Sequence, residues 1–269
     1  MNRSIGIWGC ALGTMLCGLG WIVGCSTVPG TNRSQLNFIS DSQMNQLGGE
    51  TFSTILQNGK AIEGGAADAR IQIIGTRIVQ SARSLYPSAD IPSEWEVVLI
   101  DDDTPNAFAL PGGRIGVHTG MVELAGDDDA LAIVMSHEVG HVLAEHSAER
   151  MSHTVLITGG LITGAVALKD QDESTQRWTM AALGAGATVG VMLPYSRLHE
   201  LEADELGLMI AANAGYDPRA SIPLWQRMAA ASGGRLEFLS THPVPATRIK
   251  YFQGLMPRAM TLYRQAGRH

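Results

Sequence analysis

Ser136-His137-Glu138-Val139-Gly140-His141 is the stretch on which the reading of this chain turns. On a helix, residues four apart share a face, so His137 and His141 present two imidazole nitrogens to one ion. Glu138 sits beside them, placed to act on a water as general base rather than to ligate. Two histidine ligands and a base within five residues form the H-E-x-x-H arrangement of zinc peptidases. The flanks suit a buried helix: Ile133, Val134 and Met135 precede the motif, and Val139, Val142 and Leu143 continue an apolar stripe. Glu138 is the only charge between Ala130 and Ala144. Gly140 costs about 1 kcal/mol inside a helix, which a close backbone approach at the site would explain. The bland alternative is a core helix carrying two hydrogen-bonded histidines.

Catalytic zinc takes three protein ligands and keeps one position open. Downstream lies Ser196-Arg197-Leu198-His199-Glu200-Leu201-Glu202-Ala203-Asp204, where Glu200 and Asp204 share a helix face. Glu200 is the candidate third ligand. Asp204, one turn on, can accept a hydrogen bond from the outer nitrogen of a ligand histidine and fix its tautomer. Glu202 and Glu205 read as a solvated acidic face, with Glu202 pointing roughly opposite Glu200. His199 lies off the ligand face and reads as structural.

These two motifs, with Thr241-His242-Pro243, resemble the gluzincin zinc metallopeptidases grouped with the CAAX prenyl endopeptidases. The nearest likeness is to the soluble periplasmic members of barrel-assembly-enhancing type and their lipoprotein relatives. The resemblance covers roughly residues 41 to 255, and Asn106-Ala107-Phe108-Ala109-Leu110-Pro111-Gly112-Gly113-Arg114-Ile115 matches the segment before the active helix. It implies one zinc ion held by His137, His141 and Glu200, with Glu138 as base and Asp204 behind a ligand. It also implies that His242 approaches the metal. There it would either block water as a fourth ligand, holding the enzyme latent, or donate a hydrogen bond to the tetrahedral intermediate. A plain loop histidine before a proline is the alternative. The implied fold is α+β and mainly helical, a zincin-type domain with a small β-sheet beside the active helix.

The N-terminus sets an expected compartment. Arg3 is the only charge before Cys25, and residues 5 to 23 are apolar or small. Ile22-Val23-Gly24-Cys25 reads as a lipobox, giving a lipoprotein signal peptide over 1–24, a lipidated tether over 25–40 and a metallopeptidase domain over 41–269. A transmembrane anchor is the alternative, since the apolar run is nearly long enough to span. Ser26 after Cys25 predicts lipid anchoring on the periplasmic side of the outer membrane of a Gram-negative bacterium. Cys10 and Cys17 leave with the signal, so the mature chain has one acylated cysteine and no disulfide. The metal site must then use histidine and carboxylates, which excludes the peptide deformylase version of H-E-x-x-H.

The net charge is −7 and no basic cluster interleaved with aromatics occurs, so nucleic acid is not an expected partner. Helices are expected from Asp41 to about Asn58, from about Ala66 to Leu85, and from a cap at Asp127 past His146. Strands are expected at Trp95–Ile100, Ala107–Leu110 and Arg114–His118, with Pro111-Gly112-Gly113 as a turn. Gly64-Gly65 and Gly233-Gly234 read as turns. Asn106, Ala107, Phe108 and Ala109 are the candidate edge on which an extended substrate would lie. Thr154–Leu168 and Trp178–Leu193 are apolar and shorter than the ~20 residues of a membrane span; they read as a buried or membrane-leaning helical pair.

The expected function is zinc-dependent cleavage of misfolded or misassembled cell-envelope proteins, with envelope assembly machinery as a further partner. A chaperone-like or assembly role with a latent zinc site is the alternative. A sugar- or lipid-modifying metallohydrolase has no specific support.

Overall fold

The computed structural model describes residues 25–169, 171–187, 193–231, 238, 242 and 247–267. The chain opens with a hairpin, β1 (Cys25–Thr27) and β2 (Ser34–Leu36), followed by α1 (Asp41–Asn58), β3 (Ala61–Ile62) and α2 (Gly65–Leu85). Then come β4 (Glu96–Ile100), β5 (Ala107–Leu110), β6 (Arg114–His118) and α3 (Thr119–Ala125). The remaining helices are α4 (Asp128–Leu143), α5 (His146–Ala167), α6 (Glu173–Ala187), α7 (Leu193–Asn213), α8 (Ser221–Ala231) and α9 (Thr247–Ala266). The fold is therefore α+β and mainly helical, with small sheets.

The larger sheet has the order β3-β4-β6-β5, with β4 and β6 parallel and the other pairs antiparallel. β5 is thus an edge strand, as expected for Ala107–Leu110. The tight return from β5 to β6 needs left-handed backbone at Gly112 and Gly113 (φ 86° and 81°), which glycine adopts without a Cβ clash. The sheet packs against α2 and α4, and α7 closes the other side of α4. Ile71, Ile74 and Ile78 of α2, Leu99, Ile115 and Val117 of the sheet, and Leu131 and Met135 of α4 fill the space between.

Asp127 caps α4 as expected, its side chain accepting from the Ala130 N–H. Every residue from Ala130 to His141 is buried. The close approach anticipated at Gly140 is real: a Cβ there would lie 3.0 Å from the Ala203 carbonyl of α7. The same crossing is tighter at Gly207, where a Cβ would meet the His137 backbone nitrogen at 2.7 Å. α4 and α7 thus touch backbone to backbone, which brings both motifs to one point.

α1 starts at Asp41 as expected, capped by Ser40 in a capping box with Gln43. Other boundaries differ. The active helix does not run past His146: it ends at Leu143, Glu145 takes left-handed backbone (φ 52°), and α5 sets off in a new direction from His146. Residues 25–40, expected as a tether, contain the β1–β2 hairpin, and Val28, directly after β1, is fully buried in the core. Gly64 and Gly65 do form a turn, at the start of α2. Gly233-Gly234 and residues 1–24 lie outside the described residues.

The expected apolar helical pair is α5 with α6, though it is not buried. Val155, Leu156, Ile162, Val166, Trp178 and Leu183 are exposed, Trp178 to 75%. Among the described residues, no helix is long and apolar enough to cross a membrane.

Candidate metal centre

α4 and α7 bring His137, His141 and Glu200 together, and His242 joins them from the segment before α9. One ligand atom from each lies within 4.8 Å of the others. The Nε2 atoms of His137 and His141 face each other at 3.1 Å. Each stands 3.4 Å from a Glu200 oxygen. Ligand atoms on a tetrahedral zinc with bonds of 2.0–2.1 Å are separated by about 3.3 Å, so these residues fit that ion. His242 Nδ1 is 3.0 Å from both Glu200 oxygens, and its ring stacks on Phe238 at 4.5 Å. It occupies the fourth side of the cluster. Thr241 and Pro243, its motif neighbours, lie outside the described residues.

Glu138 stands beside the cluster. Its Oε1 is buried with no hydrogen-bond partner and lies 3.6 Å from His242 Nε2. A buried oxygen without a partner is costly to keep in a fold, and here it stands next to His242, a member of the cluster. Burial holds the Glu138 carboxyl above the usual carboxylate range; His242 and His137 oppose this. The backbone of Ala109 reaches the same carboxylate, so the edge strand passes directly by the candidate base. A cavity lined by Ala109, Pro111, His141 and Val142 continues the cleft along that strand.

Asp204 is where the motif spacing placed it: its Oδ1 is 3.0 Å from His137 Nδ1. Arg248, fully buried, donates through Nε to Asp204 Oδ2 at 2.7 Å and sets Nη1 3.2 Å from Glu200 Oε2. Its guanidinium lies 3.7 Å from the centre of the Trp225 ring. One cation thereby holds both carboxylates of α7. Burial lowers the His137 pKa, but hydrogen bonds to Asp204 and Glu200 outweigh it and lift the imidazole to about 9. For Glu200, burial is likewise outweighed, and the carboxyl is held far below its usual range by His137, His141 and His242.

The assignment of Glu202 and Glu205 to a solvated face needs correction. Glu202 is buried, accepts from Arg33 Nε at 2.9 Å and from His146 Nε2 at 3.0 Å, and also receives the Thr31 hydroxyl. Glu205 accepts from Tyr251 at 2.8 Å and from Arg258 at 2.7 Å. His199 is buried, with Nε2 2.7 Å from Glu149 Oε2. Arg33 donates to both oxygens of Glu149, at 2.8 and 2.7 Å. Sequence reasoning misplaced Glu202 and assigned no role to Arg33, His146 or Glu149. The available signal was His146 itself, a third histidine five residues beyond His141.

Burial raises the Glu149 carboxyl, yet His199 and Arg33 together bring it down to about 2. A depressed carboxylate stabilises fully above its unfolded value of 4.5 and loses that contribution as pH falls toward 2. Unfolding free energy should therefore drop between those values by up to about 1.4 kcal/mol per pH unit from this group. Denaturant melts at several pH values check this: Glu149→Gln should be less stable at neutral pH and lose less on acidification.

A model of peptidase family M48 matches residues 66–255. The chain belongs to that family. M48 is a family of zinc metallopeptidases, and in this chain the cluster at His137, His141 and Glu200 is where the ion fits. Among curated M48 relatives, the mitochondrial metalloendopeptidase OMA1 of Saccharomyces cerevisiae is 31% identical over 93% of this chain and 74% of its own length. The Schizosaccharomyces pombe protein of the same name is 38% identical over 62% of this chain and 48% of its own. The beta-barrel assembly-enhancing protease of Escherichia coli is 26% identical over 83% of this chain and 46% of its own. The chain spans about half the length of the latter two.

These relatives refine one expectation and correct another. The family is M48 at large, and the relatives named above are OMA1 and barrel-assembly-enhancing proteases. The placement as a Gram-negative outer-membrane lipoprotein is overturned, because the yeast, plant and animal relatives are mitochondrial enzymes. A short basic start followed by an apolar run is common to several kinds of leader, so it does not fix a compartment.

Proposed function

We propose that this chain is a zinc endopeptidase that cuts unfolded or misassembled proteins in a quality-control role, with Glu138 as its general base. The observation that carries this reading is the buried, unpartnered Glu138 oxygen next to the cluster of His137, His141, Glu200 and His242, with the backbone of edge strand β5 reaching the same carboxylate. A zinc ion bound there supplies Lewis acidity toward the scissile carbonyl and its attacking water. Asn106 to Ala109 hold the substrate backbone as an added strand, which positions the bond without demanding a particular sequence. Glu138 takes the water's proton and returns it to the leaving amine. Asp204 keeps His137 Nδ1 protonated so that Nε2 faces the ion. The role of misassembled envelope proteins as substrates draws its support from the barrel-assembly-enhancing relative.

The test is zinc content together with cleavage of an unfolded protein such as casein. One zinc per chain, with cleavage abolished by a chelator, is the expected result. Zinc without cleavage favours the assembly-partner reading instead. In the latch reading, His242 holds the fourth position and must swing away for water to enter, since its Nδ1 sits on Glu200 and its Nε2 faces Glu138. His242→Ala should then raise casein turnover several-fold; unchanged or lower turnover would remove the latch.

The exposed apolar residues of α5 and α6 support contact of this helical pair with a lipid surface. Arg177 is exposed on α6, next to the exposed Trp178. Tryptic cutting at Arg177 should slow when phospholipid vesicles are added, and equal rates with and without vesicles would sink the contact.

A further inference from the structure

The two histidine ligands are supported from opposite sides, and only one of the supports follows from the family motifs. His137 is backed by Asp204 and Arg248. His141 is backed by another histidine: its Nδ1 lies 2.8 Å from His146 Nδ1. His146 Nε2 lies 3.0 Å from Glu202 Oε2, and a carboxylate at neutral pH only accepts, so this nitrogen carries the hydrogen. His146 Nδ1 is then left as an acceptor, and His141 Nδ1–H donates to it. That fixes the His141 tautomer with a lone pair on Nε2, the atom facing His137 and Glu200.

The support continues outward. Glu202 accepts from Arg33 Nε, while the same guanidinium grips Glu149 with its two other nitrogens. Glu149 in turn holds His199, whose ring stacks on His146 at 4.1 Å and 16°. His146 is thus fixed in its plane from one side and along its edge from another, and all four of His146, Glu149, His199 and Glu202 are buried. Arg33 comes from the β1–β2 hairpin, 104 residues before His137 in sequence. The left-handed turn at Glu145 makes the arrangement possible. On a continuous helix, residues five apart sit about 140° around the axis, and His146 would face away from His141.

We propose that His146 is the positioning residue of ligand His141, and that Arg33 and Glu202 make the N-terminal hairpin an outer wall of the metal site. This rests on the zinc reading above. Removing such an outer partner typically weakens metal binding by 10–100-fold.

The test uses the full chain and zinc alone, with affinity measured by competition against a chromophoric chelator. The cobalt(II)-substituted protein reports ligand geometry by its visible absorption. His146→Phe keeps the stack on His199 and removes both nitrogens. Arg33→Met releases Glu202, and Ile78→Val, in the core of α2, is the control for simple loss of stability. The expected result is a 10–100-fold weaker zinc affinity in His146→Phe, a smaller loss in Arg33→Met, altered cobalt spectra in both, and neither change in Ile78→Val. Unchanged affinity and spectrum in His146→Phe, with wild type binding one zinc, overturns the relay and leaves the peptidase reading standing. A normal site in Arg33→Met alone removes the hairpin from it. If Arg33→Met does not fold, Glu202→Gln takes its place. Wild-type protein that binds no zinc overturns both readings.

Discussion

Glu138→Gln should keep its zinc and lose casein turnover by about 10²–10⁴-fold, the usual worth of a positioned general base. Gln has nearly the same shape and cannot take a proton. None of the candidate ligand atoms belongs to Glu138, so zinc content should be unchanged. Stability should hold or rise, because the substitution removes a buried carboxylate whose Oε1 has no hydrogen-bond partner. Metal analysis, a thermal melt and a turnover assay on one preparation check all three points. Turnover that survives in the variant would take the base away from Glu138.

Arg248→Met should be the most damaging single change outside the ligands. The guanidinium is fully buried and serves Asp204, Glu200 and the Trp225 ring together. Methionine fills much of the volume but leaves two buried carboxylates without their cation, a loss of about 3–5 kcal/mol. Asp204 would also lose its hold on His137, and zinc affinity should fall with it. Zinc would offset part of the unpaired charge on Glu200, so the deficit should be larger in chelator than in excess zinc. Denaturant melts in both conditions check this. Adding Asp204→Asn to Arg248→Met should recover part of the loss, since it removes one stranded charge. No recovery would mean that the Trp225 contact, rather than charge pairing, carried the effect.

Much of the site was legible because its chemistry is written in helical periods. His137 and His141 are one turn apart, as are Glu200 and Asp204, and both helices are long enough for that spacing to hold. The hairpin of β5 and β6 was legible for a similar reason: two glycines that permit left-handed backbone stand between two short apolar runs. What periodicity could not reveal was the end of a helix with no strong stop signal. Glu145 is not a residue that announces a left-handed turn, so the active helix was expected to continue. That single error hid the role of His146, and with it those of Glu202 and Arg33. Glu202 looked solvated because a helix wheel shows which side a residue faces and says nothing of what comes from elsewhere to cover it. Arg33 lies 169 residues from Glu202, and no local pattern links them. The apolar pair α5 and α6 was recognised, but whether it would be covered depended on packing that composition does not encode.

The distance in sequence between the parts of this site has a consequence during synthesis. The H-E-x-x-H helix leaves the ribosome long before Glu200, and Arg248 follows more than a hundred residues after His137. Until α9 emerges, Glu200 and Asp204 have no buried cation, and α7 has little reason to seat them beside His137. A nascent chain therefore carries an incomplete centre while its own unfolded segments are within reach. The cation that pairs both carboxylates of α7 comes from α9, so the centre is assembled from both sides only when that helix docks.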